Sequence, residues 1–122
     1  MALETGKLGS LPMAYDEDLA NRLRELLAGE DAITEKKMFG GLAFLLDGKM
    51  TVSASRNGGL LVRVAPADTE TCLTRPHVSL MTMGARTMTG WLTVAPEGLK
   101  TKRQLGGWVE RSLRYARTLP AK

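Results

Sequence analysis

The sequence predicts an α+β domain in which an antiparallel sheet of about five strands carries helices on one face, in the order α-β-β-β-α-β-β-α. Three observations lead to this prediction. Apolar residues recur at helical spacing near both ends of the chain and briefly in its middle. Short strand-like runs between these segments are separated by turn residues such as Asp47-Gly48. With 43% hydrophobic and 25% charged residues, the chain of 122 residues has a globular composition, which excludes the disordered and fibrous classes.

The first helix is predicted from Asp16 to Ala28. Carboxylates at Asp16, Glu17 and Asp18 suit the positive N-terminal end of a helix, and Gly29 is a common helix stop. The apolar face consists of four leucines, Leu19, Leu23, Leu26 and Leu27.

Residues 1–12 contain glycine, serine and proline but no periodic apolar face, and we interpret them as an unstructured leader or an added extension. Met13 then becomes a candidate natural start, and residues 13–122 are expected to form a single domain.

An antiparallel meander of three strands is predicted within Lys36–Val64. Its strands are Met38–Leu46, Lys49–Ser55 and Leu60–Val64. The turn sequences Asp47-Gly48 and Asn57-Gly58-Gly59 connect them.

Gly40 and Gly41 interrupt the first of these strands, and we interpret them as a bulge or a sharp bend. The alternative is a close approach of the backbone to a ligand phosphate. The spacing fits neither the dinucleotide-binding pattern nor the Walker loop, so this alternative is set aside.

The second half of the chain adds a short helix at Pro66–Leu73, strands at Val78–Met83 and Arg86–Val94, and a final helix from Thr101 to about Leu119. Thr101 and Gln104 have the spacing of a capping box. The apolar face of the last helix consists of Leu105, Trp108, Val109, Ser112, Ala116 and Leu119. Four arginines lie on or beside its opposite face, Arg103, Arg111, Arg114 and Arg117.

The charge is uneven along the chain, although the formal net charge is only +4. Residues 1–35 hold three cations and eight anions, whereas residues 100–122 hold seven cations and one anion. The basic last helix could neutralise phosphates or dock on an acidic protein. We favour the interpretation as a solvated face, because an exposed helix face carries charges and a helix dipole favours cations near its C-terminus. Both interpretations stay open.

The chain offers little for catalysis or metal binding, since His77 is its one imidazole and Cys72 its one thiol. We interpret Cys72 as an inert core residue and His77 as a hydrogen-bonded loop residue. Trp91 and Trp108 are expected to pack in the core rather than stack on bases. No metal, cofactor or catalytic residue is therefore predicted. Without a long apolar run or a signal pattern, the expectation is a cytoplasmic protein with no membrane partner.

Five sequence stretches together resemble the N-terminal domain of the TfoX/Sxy family of competence regulators. They are Lys36-Lys37-Met38-Phe39-Gly40-Gly41-Leu42-Ala43-Phe44, the strand Gly59–Val64, Arg75-Pro76-His77, Met88-x-Gly90-Trp91, and the last helix from Trp108-Val109 to Arg117-x-Leu119-Pro120. The resemblance implies an α+β fold and a non-enzymatic regulatory role. Full-length members help a cyclic-AMP receptor protein to activate competence genes in bacteria. They also carry a second, helical domain, so the fold is expected to carry over more directly than the role.

If the family motifs mark a functional surface, its candidate residues are Lys36, Lys37, Phe39, Gly40, Gly41 and Arg75. The leading hypothesis is a transcription-related accessory protein that contacts another protein, for example a transcription regulator. The alternative is direct electrostatic binding of nucleic acid through Arg103, Arg111, Arg114 and Arg117. An exposed sheet edge would also allow two copies to pair, so a homodimer is a further possibility.

Overall fold

A six-stranded antiparallel sheet with helices packed on it forms the domain. The computed structural model describes residues 16–38, 41–56, 58–83 and 85–120. In chain order the elements are α1 (Glu17–Leu26), β1 (Ile33–Met38), β2 (Gly41–Leu46), β3 (Lys49–Ser55), β4 (Leu60–Arg63), α2 (Thr69–Leu73), β5 (Val78–Met83), β6 (Arg86–Val94) and α3 (Lys102–Ala116). The strand order is β1-β2-β3-β4-β6-β5, so β1 and β5 are the two edges.

The sheet has six strands rather than about five, because β1 was not predicted: it lies before the predicted strand Met38–Leu46, most of which is β2. β1 and β2 pair with each other in antiparallel fashion, with Met38 opposite Gly41. The four central residues of β1, at positions 34–37, are exposed and mostly charged. They lack the alternation of apolar and polar residues that marks a half-buried strand. The predicted bend at Gly40 lies outside the described residues.

The helix boundaries follow from local hydrogen bonds. Asp16 accepts a hydrogen bond from the backbone N–H of Leu19 at 2.9 Å and so caps α1. The capping box of α3 is confirmed: the Thr101 hydroxyl accepts from the Gln104 N–H at 3.0 Å, and Gln104 Oε1 accepts from the Thr101 N–H at 2.9 Å. α3 ends at Ala116, three residues before the predicted end.

Proline shapes the two remaining helical segments. The helix predicted at Pro66–Leu73 begins as a 3₁₀ turn, Pro66–Asp68, and continues as α2. A second 3₁₀ turn at Pro96–Gly98, which the sequence analysis did not predict, precedes α3. Proline suits the first position of each turn, since its fixed φ is already helical.

The main core lies between the sheet and the helices, which confirms the predicted packing of helices on one face. Phe44, Val62 and Leu92 from the sheet are almost fully buried against Leu23 of α1 and Leu105 of α3. Burying each such side chain contributes about 1.5–3 kcal/mol.

A smaller apolar cluster lies on the other face of the sheet, because successive strand residues point to opposite sides. Ala43, Met50 and Leu61 are its buried members. Trp91 packs against them and is only partly buried, with the Arg63 guanidinium carbon 5.1 Å from its ring centroid.

Buried polar contacts fix α3 on the sheet. Lys49, only 4% exposed, donates from Nζ to the carbonyls of Ala116 at 2.8 Å and Leu119 at 2.9 Å. The Ser112 hydroxyl donates to the Thr51 carbonyl at 2.8 Å. At the other end, Arg22 donates to the Leu99 carbonyl at 2.6 Å, just before α3. These contacts hold the C-terminal half of α3 on the sheet and the segment just before its N-terminus on α1.

Within the described residues, the acidic first part of the chain contacts the basic last part where Arg117 pairs with Glu30 at 2.7 Å. Within the described segments, no helix is both long and apolar enough to cross a membrane.

Candidate functional site

A pocket of about 410 Å³ opens between the first half of α3 and the loop that joins α2 to β5. Three arginines line it. Arg75 comes from the loop, whereas Arg103 and Arg111 lie two turns apart on α3. The structure thus brings together residues that the sequence analysis placed on two separate candidate surfaces.

The Trp108 ring forms part of the pocket wall and holds two of the arginines. The guanidinium carbons of Arg75 and Arg111 lie 5.9 Å and 5.8 Å from its ring centroid. Cations at this distance are attracted by the electrons of an indole ring. Trp108 itself is 6% exposed, which confirms core packing and leaves little ring surface for a base to stack on.

The positive charge of the pocket is not neutralised by the described part of the chain. The ion pairs of the described residues lie outside the pocket. Arg24 pairs with Glu35 and Glu17, and Arg117 pairs with Glu30 and Glu110. None of the three pocket arginines makes an ion pair or donates a hydrogen bond within the described ranges, and no carboxylate lines the pocket. Three like charges in one concavity focus a positive potential that attracts anions.

The loop side of the pocket has an unusual backbone. His77 lines the pocket with φ of 69°, a left-handed conformation that few residues other than glycine adopt. Its carbonyl accepts a hydrogen bond from the Ala95 N–H at 2.9 Å. Gly98 packs closely here, since a Cβ on it would lie 3.0 Å from Val94 Cγ1 and 3.3 Å from His77 Cβ. The packing of Gly98 and the hydrogen bond from Ala95 therefore fix the position of His77, and with it the loop that carries Arg75.

The helix side of the pocket contains Gln104 and Gly107. The carboxamide oxygen of Gln104 is engaged in the capping box, which leaves its NH₂ group as a hydrogen-bond donor. A Cβ on Gly107 would meet no atom within 4 Å, so packing does not require a glycine there. Glycine inside a helix costs about 0.5–1 kcal/mol relative to alanine. What Gly107 provides is a bare stretch of helix backbone in the pocket wall.

The other predicted site residues lie elsewhere. Lys36 and Lys37 are exposed on β1, at the opposite edge of the sheet from β5, so they do not form one surface with Arg75. Gly41 is buried, and a Cβ on it would collide with the Ala54 carbonyl oxygen, which explains the glycine structurally. Phe39 and Gly40 lie outside the described residues.

On the basic helix, Arg114 is exposed and does not line the pocket. Arg117 is held by Glu30 at 2.7 Å and lies 4.0 Å from Glu110. Only Arg103 and Arg111 of the four helix arginines therefore belong to the site.

Cys72 is fully buried in the main core, as the sequence analysis interpreted it. Over the described ranges, no three His, Cys, Asp or Glu side chains are placed together to hold a metal ion. Gln104 and Gly107 were not predicted as site residues. The sequence carries one signal for them, the Gly106-Gly107 pair inside a helical pattern, where glycine is unfavourable.

Comparison with known proteins gives one finding. The model of the TfoX N-terminal domain matches residues 25–116, a range that contains all three pocket arginines. No curated protein matches the chain.

Proposed function

The chain belongs to the TfoX N-terminal domain family, and from this premise we propose that it is a non-enzymatic regulatory domain that binds a protein partner through the cationic pocket. The proposed setting is the bacterial cytoplasm, where the domain would act as a transcription-related accessory protein. This role agrees with the association of the family with competence regulation.

One observation carries the proposal: Arg75, Arg103 and Arg111 converge on a pocket to which the described chain supplies no counter-charge. Arginine is enriched at protein interfaces, where its planar group binds carboxylates and phosphates through two parallel hydrogen bonds. The partner is therefore expected to insert an acidic group into the pocket.

The chemistry of the pocket supports binding rather than catalysis. Its polar groups are three guanidiniums, the imidazole of His77 and the amide of Gln104. The Cys72 thiol is buried in the core and does not line it. A nucleophile with an adjacent base, which covalent catalysis requires, is not part of this set.

Photocrosslinking in the native host tests the proposal. A photoreactive phenylalanine replaces Lys102, the exposed residue next to Arg103, and covalent adducts are identified by mass spectrometry. We expect a reproducible protein adduct that disappears when the three pocket arginines are changed together to glutamine.

The matched control carries the same photoreactive residue at Arg86, an exposed position in the β5–β6 hairpin that does not line the pocket. An adduct formed equally at both positions, or one that survives loss of the three arginines, would rule out the pocket as the contact site.

A second candidate function is direct binding of nucleic acid through α3. Arg103, Arg111 and Arg114 form a stripe of cations without ion pairs within the described segments. Such a stripe would contact phosphates, so binding should weaken steeply with salt. Arg117 contributes less, because Glu30 already neutralises it.

Fluorescence anisotropy of labelled duplex DNA, at low and near-physiological salt, separates the two candidates. DNA binding that is lost when Arg103, Arg111 and Arg114 become glutamine would favour the second function. Unchanged affinity in that variant, or no binding at low salt, would eliminate it.

A further inference from the structure

We propose that the arginine pocket is a receptor for a phosphate monoester. This inference rests on the proposed function only in using the same pocket, and it specifies the anionic group that the pocket takes.

The number of donors favours phosphate over a carboxylate. Each guanidinium presents five N–H groups, so three of them exceed what the two oxygens of one carboxylate can accept. A phosphate monoester has three terminal oxygens and a charge of about −1.5 to −2 at pH 7. Its charge and acceptor number therefore fit three converging arginines better.

Two of the three arginine side chains are also held in place before any ligand binds, and the backbone position of the third is fixed. Arg75 and Arg111 both lie against the Trp108 ring, which is fixed in the core. Arg103 comes from the first turn of α3, where the capping box fixes the helix start. Side chains that are already positioned lose less conformational entropy when they bind a ligand.

The rest of the wall suits a compact, oxygen-rich group. The Gln104 NH₂ group adds a neutral donor, and Gly107 lets the group approach the helix without meeting a side chain. The volume of about 410 Å³ lies within the range of small-ligand sites, roughly 300–1,000 Å³. It accommodates the phosphate and part of the molecule that carries it. That molecule is either a small phosphorylated compound or a phosphorylated side chain of a protein.

Tryptophan fluorescence measures the binding directly. The chain has two tryptophans, so Trp91→Phe leaves Trp108, in the pocket wall, as the only indole. This protein is titrated with inorganic phosphate, free O-phosphoserine, and a short peptide that contains phosphoserine, at constant ionic strength. We expect saturable binding of all three, and about tenfold weaker binding for each pocket arginine changed to glutamine.

The matched control changes three exposed cations that do not line the pocket, Lys36, Arg56 and Arg86, to glutamine. It removes the same total charge, so it should keep near-native affinity if the pocket is the site. Circular dichroism confirms that both triple variants are folded. Tighter binding of the peptide than of free phosphoserine would identify a protein source. Equal or weaker binding would identify a small molecule.

Three results would overturn the inference: no saturable signal with any of the probes, equal loss of affinity in both triple variants, or equal affinity for the peptide with serine in place of phosphoserine. The two proposals fail separately. A protein adduct that needs the arginines, together with no phosphate binding, leaves the proposed function standing and removes the phosphate. Phosphate binding without any protein adduct leaves the phosphate inference standing and removes the proposed function.

Discussion

Changing Gly107 to alanine should make the domain more stable while weakening its pocket. The added methyl group meets no atom within 4 Å, so it neither clashes nor gains packing. The change in stability then equals the helix propensity difference, about 0.5–1 kcal/mol in favour of alanine. For a domain of this size, that corresponds to a rise in melting temperature of roughly 2–5 °C.

The methyl group would at the same time stand in the pocket wall, where a bound anion approaches the helix. We therefore expect weaker phosphate binding from the more stable protein. Urea unfolding followed by tryptophan fluorescence measures the stability, and the phosphate titration measures the binding.

Gly106→Ala is the matched control. It has the same propensity gain and an ordinary contact with Leu26 Cδ2 at 3.8 Å, but Gly106 does not line the pocket. It should stabilise the domain without changing phosphate binding. If Gly107→Ala failed to stabilise the domain while Gly106→Ala did so, the helix would not be open at Gly107. If it stabilised the domain and left binding unchanged, the glycine would not serve the pocket.

Three further predictions concern the scaffold. Lys49→Met removes the buried ammonium that caps the end of α3 and should lower the free energy of unfolding by about 2–3 kcal/mol; an unchanged urea midpoint would contradict the role of this cap. Gly41→Ala forces a methyl group onto the Ala54 carbonyl and should lower the free energy of unfolding, measured with urea, by about 1–3 kcal/mol. Gly29→Ala, where a methyl group would meet no atom within 4 Å, is the comparison and should show no such loss. The hydrogen bond from Arg24, helped by its charge, lowers the pKa of Glu35. The stabilisation of the folded state by the Arg24–Glu35 pair is therefore present above the ordinary carboxyl pKa, and it is lost as pH falls through the lowered pKa of Glu35. Glu35→Gln should accordingly be less stable than the native protein at pH 7, and the difference should vanish in acid; a difference that persists there would refute the pairing.

The parts of the fold that depend on local signals could be predicted from the sequence. The capping box of α3 is a pattern of two residues, Thr101 and Gln104, and it placed the helix start correctly. β5 and β6 are rich in β-branched and apolar residues on either side of a turn, and they lie at their predicted bounds. β1 was missed because an edge strand needs no buried face, and its charged residues look like a loop.

The site could not be predicted, because it depends on long-range placement. Arg75 precedes an edge strand, and it meets Arg103 and Arg111 only because α3 lies across the sheet at a particular position. That position is set by contacts such as the hydrogen bonds from Lys49 to the carbonyls of Ala116 and Leu119. These partners lie 67 and 70 residues away from Lys49 in the sequence. No local pattern encodes these contacts. The sequence identified all three arginines as candidates but divided them between two surfaces.

The unneutralised charge of the pocket also links ligand binding to folding. The three arginines repel one another in the native state more than in the expanded unfolded chain, so the empty domain stores an electrostatic cost. A bound anion removes this cost and adds its own binding free energy, which grows with its concentration relative to its dissociation constant. The population of folded domain would then rise and fall with the supply of the anion. In a cell that degrades unfolded chains, such coupling would let the ligand concentration set the amount of this protein as well as its occupancy.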